Sequence, residues 1–438
     1  MVSVLVRARN RARAVLRRLV FRTEPVLTRA GRRCLYTMPL SVRHKASRTV
    51  LRVPWEIEVP TGSLLLGDQN GWTARQFAER TGDLLWPSTP VADGPHLALL
   101  RLAQQRGADL SDEEILESPY GEFGRRCIEL DGRFFWAADP AGVVEVARSF
   151  VARFRGARPQ ARMANQSGPD DQVLVARVRG SDCHQVLDGH HRVAIEVARG
   201  APTVRVTLRW TPVTTPLQDL LRRMSWLEGT RALYQPLDAP ELRRGWVTVR
   251  RCTDRLGKMQ AFLAQRRLLP PAADSYLDVA SCYGWFVAQM RDLGYAANGM
   301  ERDPLAPTLG QAAYGLDPSA VMVGDCVELL RSAGRTWSVV SCFSLLHHFV
   351  LGRGSTSPEE LLKLLDAATE RVLFLDTGQE HEAWMRRSLR GWSPEHIARY
   401  LREHTTFGEI VDLGPDEDAV GRYADNYGRH LFACVRTE

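Results

Sequence analysis

The chain has 438 residues, of which 44% are hydrophobic and 25% are charged, the balance of an ordinary globular protein. That balance excludes a wholly disordered chain, a collagen-like chain and a small disulfide scaffold, and the length favours two or three domains. No stretch offers the ~20 uninterrupted apolar residues of a membrane span, and the N-terminus lacks the apolar region of a secretory signal, so we expect a cytoplasmic protein.

The positive charge of the chain is concentrated at its N-terminus. The formal net charge is +7, yet residues 1–33 hold ten arginines and one acid, which leaves 48 basic and 50 acidic residues in the remainder. Residues 1–50 therefore form a basic arm in which arginines are interleaved with bulky aliphatic residues. This pattern is typical of a helix on an anionic membrane surface or on nucleic acid, and equally of a solvated, poorly ordered terminus. Among the binding roles we favour a peripheral membrane contact, because the apolar residues are bulky.

Residues 51–212 are predicted to form an α+β domain. Apolar periodicity predicts strands at 56–60, 173–178 and 204–208, and helices at 94–105 and 141–154. Ser111, which three acids follow, is typical of a helix N-cap. Residues 155–171, rich in glycine, proline and asparagine, are predicted to be a loop.

Residues 213–270 are predicted to be a mostly helical connector that ends at Pro270-Pro271, and residues 271–438 an α/β domain. From Tyr276 onward strand and helix patterns alternate, which is typical of a doubly wound sheet. The predicted strands are, in order, Tyr276–Ala280, Ala296–Met300, Ala320–Val323, Trp337–Phe343 and Arg371–Leu375. A turn of small residues separates the first strand from a predicted helix at Trp285–Leu293.

Acidic side chains stand at the ends of successive strands in this domain. Asp278, Glu301, Asp325 and Asp376 each lie at or directly after the end of a predicted strand. Ligands of open α/β sheets bind at that edge, and an acid after the second strand is placed to accept hydrogen bonds from ribose hydroxyls. The acid after the third strand is placed to meet an adenine amino group.

This order of motifs resembles the class I S-adenosylmethionine-dependent methyltransferases over residues 276–436. The resemblance implies a Rossmann-like seven-stranded sheet closed by an antiparallel hairpin, here Gly408–Leu413 and Arg429–Val435. It implies S-adenosylmethionine as cofactor, with its methionine part at the DVASCYG turn, its ribose at Glu301 and its adenine at Asp325. The candidate cofactor-binding residues are Asp278, Ala280, Cys282, Gly284, Glu301, Asp325 and Phe343. Ala280 and Cys282 stand where the family usually has glycine, and a nicotinamide-binding domain is disfavoured because G-x-G-x-x-G is absent.

Three histidines are candidate catalytic residues. His347 and His348 follow the fourth strand, and His381 follows the fifth. A neutral histidine can take the proton of a hydroxyl group as that group attacks a methyl donor; packing or backbone capping would explain the same positions. The eight cysteines contain no CxxC pair, and nothing in the spacing of the histidines and acids requires a metal, so we predict none.

The segment Asp188-Gly189-His190-His191-Arg192 joins a strand to a helix and is the candidate phosphate-binding turn. Amides at a helix start, imidazoles and a guanidinium together favour an anion. The segment resembles the ParB/sulfiredoxin-like fold, whose members bind phosphate or nucleotide at this turn. The alternative is that Asp188 caps the helix and pairs with Arg192.

These features predict a methyltransferase that acts on an oxygen of a glycan, a glycolipid precursor or a small molecule. The C-terminal pattern is similar to methyltransferases associated with polysaccharide biosynthesis, and the central domain would recognise a phosphate or nucleotide on the acceptor. A nucleic-acid methyltransferase is less favoured, because Ser344-Leu345-Leu346-His347 replaces an Asn-Pro-Pro-Tyr type motif. A non-catalytic scaffold with a degenerate cofactor site is the third alternative.

Overall fold

A computed structural model describes residues 56–107, 109–156, 173–209, 211–224 and 231–437. The predicted basic arm, residues 1–50, lies outside these residues, as does most of the predicted loop at 155–171. The chain divides into two compact units, one reaching residue 215 and the other comprising residues 83–85 and 216–438. No helix in the described part of the chain is long and apolar enough to cross a bilayer.

The described residues of the first unit form a small mixed sheet and six α-helices. Its strands are β1 Glu56–Pro60, β2 Leu64–Leu65, β3 Val173–Arg177, β4 His184–Asp188 and β5 Thr203–Leu208. Its helices are α1 Ala74–Thr81, α2 Pro95–Arg106, α3 Asp112–Glu117, α4 Pro119–Asp131, α5 Pro140–Phe154 and α6 His190–Ala198. The sheet order is β1-β5-β3-β4-β2. The predicted N-cap at Ser111 is confirmed, since its side chain accepts from the Glu114 amide in a reciprocal capping box.

The second unit contains the α/β domain and the segment before it. Its strands are β6 Ala232–Leu233, β7 Val247–Thr248, β8 Ser275–Val279, β9 Ala296–Glu301, β10 Val321–Val323, β11 Trp337–Cys342, β12 Thr369–Leu375, β13 Glu409–Pro415 and β14 His430–Val435. Its helices are α7 Pro216–Arg223, α8 Thr253–Gln265, α9 Trp285–Asp292, α10 Ala306–Tyr314, α11 Cys326–Ser332, α12 Leu346–Val350, α13 Pro358–Ala368 and α14 Pro394–His404.

The predicted connector contains short strands as well as helices. Residues 216–270 belong to the second unit, and besides α7 and α8 they contain the short parallel pair of β6 and β7. These strands have two residues each, too short for a period-2 pattern to reveal them.

The expected seven-stranded sheet is present, in the order β10-β9-β8-β11-β12-β14-β13. β8 pairs in parallel with β9 and β11, whereas β14 runs antiparallel to both β12 and β13. Successive residues of β8 enter different cores: Tyr276 packs with Phe286 on one face, and Leu277 packs with Leu361 on the other. Burial on both faces explains why these strands are apolar runs, and it leaves the strand ends to carry polar groups.

Candidate functional site

A cavity of about 950 Å³ opens at the carboxyl ends of β8, β9, β10 and β11 in the second unit. Seven of the predicted site residues line it together: Ala280, Cys282, Glu301, Asp325, Phe343, His347 and His348. Asp278, Gly284 and His381 are not among the described residues that line the cavity. Most, but not all, of the predicted residues of the second unit therefore lie at one cavity.

The turn after β8 is held in a left-handed backbone conformation. The φ angles are +63° at Ala280, +55° at Cys282 and +87° at Gly284. Only glycine adopts this region freely, and other residues held there cost about 1–3 kcal/mol each. Gly284 is required for a second reason, because a Cβ there would lie 2.8 Å from Leu316 Cδ1. Ala280 and Cys282 thus keep the backbone path of a glycine turn at an energetic cost.

Glu301, the last residue of β9, ties that turn to the neighbouring strand. Its carboxylate accepts the Cys282 amide at 2.9 Å and the amides of Arg302 and Asp303 at 2.8 and 3.1 Å. Burial raises the pKa of Glu301, and these amide hydrogen bonds oppose the rise. The three donors fix the orientation of the carboxylate at the cavity wall.

Asp325 stands after β10 and caps helix α11. Its Oδ1 accepts the Val327 amide at 2.9 Å and the Ser355 hydroxyl at 3.0 Å. The residue lines the cavity, so its remaining carboxylate capacity is available to a ligand.

Asp278 is enclosed within the sheet. It is 2% exposed, and its Oδ1 accepts the Ser341 hydroxyl at 2.6 Å. Burial raises the pKa of Asp278 to about 7, although the Ser341 hydrogen bond and Arg255 oppose this. Asp278 therefore supports the strand ends, and the structure does not bring it to the cavity lining.

His347 is held as a hydrogen-bond donor. The Gly378 amide donates to its Nδ1 at 3.1 Å, so the proton of the neutral ring lies on Nε2. Burial and the nearby Arg429 lower the pKa of His347 to about 2, which keeps the ring neutral. A ring in this state can donate Nε2–H to a ligand, but it cannot accept a proton while the Gly378 bond persists.

His348 and His381 have different surroundings. The His348 ring lies 4.3 Å from that of His347, lines the cavity and is half-buried. Partial burial, Arg353 and Arg429 lower its pKa, so it too is neutral near pH 7. His381 is exposed and donates Nε2–H to the Tyr427 carbonyl at 2.9 Å. Of the three candidates, His348 is the ring best placed to accept a proton inside the cavity.

Beneath the cavity lies a buried ionic network that the sequence analysis missed. It consists of three arginines and four acids, all at most 4% exposed: Arg250, Arg255, Arg429, Asp376, Glu382, Asp416 and Asp418. Arg250 donates to Asp416 Oδ2 at 2.6 Å, and Arg255 donates to Asp418 Oδ2 at 2.9 Å. Ion pairs therefore link the segment before the sheet to the strand ends.

Asp376, directly after β12, is the centre of this network. Its Oδ2 accepts from Arg250 and from Arg255, each at 3.1 Å, and its Oδ1 accepts the Ser344 amide at 2.7 Å. Burial favours the neutral acid, but Arg250, Arg255 and Arg429 outweigh it and hold the pKa of Asp376 below its usual range. The carboxylate is therefore charged and fully used inside the protein.

Ser344 and Arg429 connect the network to the cavity that they line. The Ser344 hydroxyl accepts from Arg250 at 2.9 Å and from Arg429 at 2.8 Å, and the residue has a φ of +57°. Arg429 also donates to both oxygens of Glu382, at 2.8 and 2.9 Å. Charged groups this deeply buried and held by several ion pairs fix the orientation of Ser344 and Arg429 at the cavity.

A signal for part of this network is visible in the sequence. Asp416 and Asp418 flank one residue between the last two strands, and Asp376 follows β12 directly, so the acids could be found as strand-end residues. Arg250 and Arg255 lie in the predicted connector, where no pattern distinguishes them from surface arginines.

In the first unit, the turn that precedes α6 does not present its histidines to a ligand. His190 donates Nε2–H to the Leu66 carbonyl at 2.6 Å, and His191 Nε2 lies 2.7 Å from the Tyr120 hydroxyl. Burial lowers the pKa of His191 to about 3. Gly189 begins the helix at a φ of +97° with no side-chain cap, so the alternative in which Asp188 caps α6 is wrong.

The second part of that alternative, an ion pair between Asp188 and Arg192, is present. Arg192 Nη2 lies 3.4 Å from Asp188 Oδ2, and a Cβ at Gly189 would lie 3.1 Å from Arg192 Nε. Of the five predicted phosphate-binding residues, the two histidines are engaged within the fold. An anion would have to rely on Arg192 and the backbone at Gly189.

Among the described residues, no group of three or more His, Cys, Asp or Glu side chains is arranged to hold a metal ion. The acids near the cavity instead bind arginines and backbone amides. Asp376 and Glu382, for example, each accept from an arginine side chain.

No protein-family model matches this chain, and no curated protein matches it. Among solved structures, the bifunctional kinase-methyltransferase WbdD is similar, with a TM-score of 0.39 and 16% identity over 50% of this chain and 46% of that chain. The methyltransferase domain of bacterial CtHen1-CN matches with a TM-score of 0.32 and 12% identity over 42% of this chain and 98% of that chain. Magnesium protoporphyrin IX methyltransferase (ChlM) from Synechocystis PCC 6803, with bound SAM, matches with a TM-score of 0.29 and 17% identity over 42% and 83% of the two chains. The match thus spans less than half the length of the WbdD chain.

Proposed function

We propose that the second unit is an S-adenosylmethionine-dependent methyltransferase that acts on an oxygen of a glycan, a glycolipid precursor or a small molecule. One observation carries the proposal: three neighbouring parallel strands, β8, β9 and β10, deliver a left-handed turn, Glu301 and Asp325 to a single cavity. The crevice beyond the carboxyl ends of strands is where open α/β sheets bind nucleotide-like ligands.

The donor set of the cavity fits this cofactor. Glu301 is a fixed carboxylate that suits two ribose hydroxyls, and Asp325 suits an adenine amino group. Ala280 and Cys282 carry small side chains on a turn whose backbone takes the left-handed path, so the main chain can approach a ligand closely. Phe343 adds an apolar surface to the same lining.

When bound, S-adenosylmethionine supplies an electrophilic methyl group on a sulfonium. The chain's own residues then have to position an acceptor hydroxyl and receive its proton. His348 is the proposed base, because its ring is neutral and lines the cavity. His347 is a positioning residue that offers Nε2–H, since the Gly378 amide occupies its Nδ1.

The predicted role of the first unit is a separate proposal. Phosphate or nucleotide recognition there is supported by Arg192 and by the backbone of the glycine that begins α6. The two histidines of that turn do not support it, because both rings are engaged within the fold.

Two aspartates form a matched pair for a test of the cofactor proposal. Asp325 and Asp317 each cap a helix by accepting the amide two residues onward, at 2.9 and 2.8 Å. Asp325 lines the cavity and Asp317 is exposed elsewhere. Asparagine caps helices about as well as aspartate, so both variants should fold.

Calorimetric titration with S-adenosylhomocysteine should show that Asp325→Asn weakens binding by about tenfold, the loss of one hydrogen bond to a charged group. Asp317→Asn should bind like the unsubstituted protein. Absence of binding to the folded unsubstituted protein would contradict the proposal and favour the non-catalytic scaffold.

A further inference from the structure

Two arginines on the rim of the cavity form no ion pair with the described residues. Arg302 and Arg353 both line the cavity and are exposed. Within the described part of the chain, neither guanidinium has an ion-pair or hydrogen-bond partner. Arg429 lines the same cavity but is bound by both oxygens of Glu382, so its charge is already compensated.

The acids of the cavity do not serve these two arginines. Glu301 accepts three backbone amides, Asp303 accepts the Leu305 amide at 2.9 Å, and Asp325 caps its helix. Each carboxylate thus accepts from at least one nearby main-chain amide, and Asp325 also accepts the Ser355 hydroxyl. Among the described residues the rim therefore carries two cations without a paired carboxylate, which suits an anionic ligand.

The backbone of Arg353 lies beside that of His348 because the chain turns back sharply after helix α12. Its amide donates to the His348 carbonyl at 2.8 Å. The loop passes so close to helix α12 that a Cβ at Gly354 would overlap the Phe349 ring. Arg353, Arg429 and Arg302 are the charged groups that act on the His348 ring, and all three are cations. The backbone position of Arg353 is thus determined by the fold.

We propose that the methyl acceptor carries an anionic group, a phosphate ester or a carboxylate, that binds between Arg302 and Arg353 next to His348. This inference rests on the proposed function, because it assigns the substrate of the same cavity. The cavity volume of about 950 Å³ lies near the upper end of the ~300–1,000 Å³ range of sites for one drug-sized ligand, which leaves room for part of a second molecule. Guanidinium groups bind phosphate and carboxylate in a forked geometry.

Three probes that share a three-carbon skeleton test the charge requirement: glycerol 3-phosphate, glycerate and glycerol. Ligand-observed NMR titrations would measure their dissociation constants with the intact protein, in the presence and absence of saturating S-adenosylhomocysteine. At least one anion should bind in the presence of S-adenosylhomocysteine, glycerol should not, and added salt should weaken the binding. The anion that binds more tightly identifies the group.

Arg302→Gln and Arg353→Gln should each weaken anion binding by about tenfold, as expected for one charge-assisted hydrogen bond. Arg402→Gln is the matched control, because Arg402 is exposed on α14 and does not line the cavity. Equal binding of glycerol, or equal effects of Arg353→Gln and Arg402→Gln, would overturn the anion proposal.

The cofactor's own carboxylate is the competing occupant of the two arginines. If the anion and S-adenosylhomocysteine exclude each other, or if Arg353→Gln weakens both equally, the arginines serve the cofactor and the acceptor proposal is wrong. Anion binding without any S-adenosylhomocysteine binding would contradict the proposed function and the identification of the anion as a methyl acceptor, and would leave only an anion site at the two arginines.

Discussion

Both units contain an adjacent pair of histidines at a strand-to-helix junction, and the structure uses the two pairs differently. In the first unit, His190 bonds the Leu66 carbonyl and His191 meets Tyr120. In the second unit, His347 is held by the Gly378 amide, whereas the His348 ring lines the cavity. The same dipeptide after a strand is enclosed in a core or placed at a cavity according to what packs against it.

The residues that pack against each histidine pair explain this difference. The His191 ring stacks at 4.0 Å on Phe150 within an apolar cluster of the first unit. His347 instead lies near Arg429 and Asp376, whose charges act on its ring. An aromatic core can enclose a neutral imidazole ring completely. An ionic network next to a histidine instead keeps polar groups at the cavity wall.

The largest expected effect comes from breaking the network beneath the second pair. Asp376→Asn should lower the free energy of unfolding of the second unit by about 3–5 kcal/mol, because arginines are left buried without their carboxylate. Chemical denaturation measures this loss, and Asp317→Asn is the control that should change stability by less than about 0.5 kcal/mol. A loss for Asp376→Asn as small as that of the control would mean that the network is not tightly coupled.

Truncation of one ring in each pair compares the two regions directly. His191→Ala should cost about 3 kcal/mol in unfolding free energy, as large-to-small changes in an aromatic core do. His348→Ala should cost less than about 1 kcal/mol, because the ring is only half-buried. Equal losses in denaturation experiments would contradict the assignment of one pair to the core and one ring to the cavity.

The lowered pKa of His191 also predicts that the stability of the protein depends on pH. The pKa of His191 is about 3 in the folded state and its ordinary value is 6.5, so between these values the unfolded chain binds a proton that the folded protein does not. Stability therefore falls as the pH decreases from 6.5 towards 3, by about 1.4 kcal/mol per pH unit from this group. His191→Phe should reduce the measured slope by that amount. An unchanged slope would mean that His191 is protonated in the folded protein.

The smallest expected change in stability comes from relieving backbone strain in the turn after β8. The turn before α6 uses Gly189 at a positive φ, whereas the turn after β8 uses Ala280 at +63°. Ala280→Gly relieves about 1 kcal/mol of left-handed strain, while Ala288→Gly inside α9 should destabilise by about 0.5–1 kcal/mol. Denaturation should therefore find Ala280→Gly the more stable variant by about 1 kcal/mol or more. The reverse order would show that the turn is unstrained.

Much of the second unit could be predicted because its signals are local. The acid that ends β9 and the acid that follows β10 were both predicted from strand-end patterns, and these residues, Glu301 and Asp325, line the cavity. Side-chain direction was not predictable in the same way: Asp278 lies one residue before the end of β8, yet its carboxylate is buried and accepts the Ser341 hydroxyl.

The rest depended on contacts between distant parts of the chain. Arg250 and Asp416 pair at 2.6 Å, although no sequence pattern connects them. The choice between core and cavity for a histidine pair likewise depends on residues such as Tyr120 and Gly378, which lie far from the histidines in sequence. Propensity and spacing describe elements, whereas burial decides which polar groups remain available.

A crystal structure of the protein with S-adenosylhomocysteine would show whether the cavity of the second unit binds the cofactor. We expect the ligand to occupy this cavity, with its ribose hydroxyls within hydrogen-bonding distance of Glu301 and its adenine amino group at Asp325. A ligand bound elsewhere, or an unfilled cavity at saturating ligand concentration, would contradict this expectation.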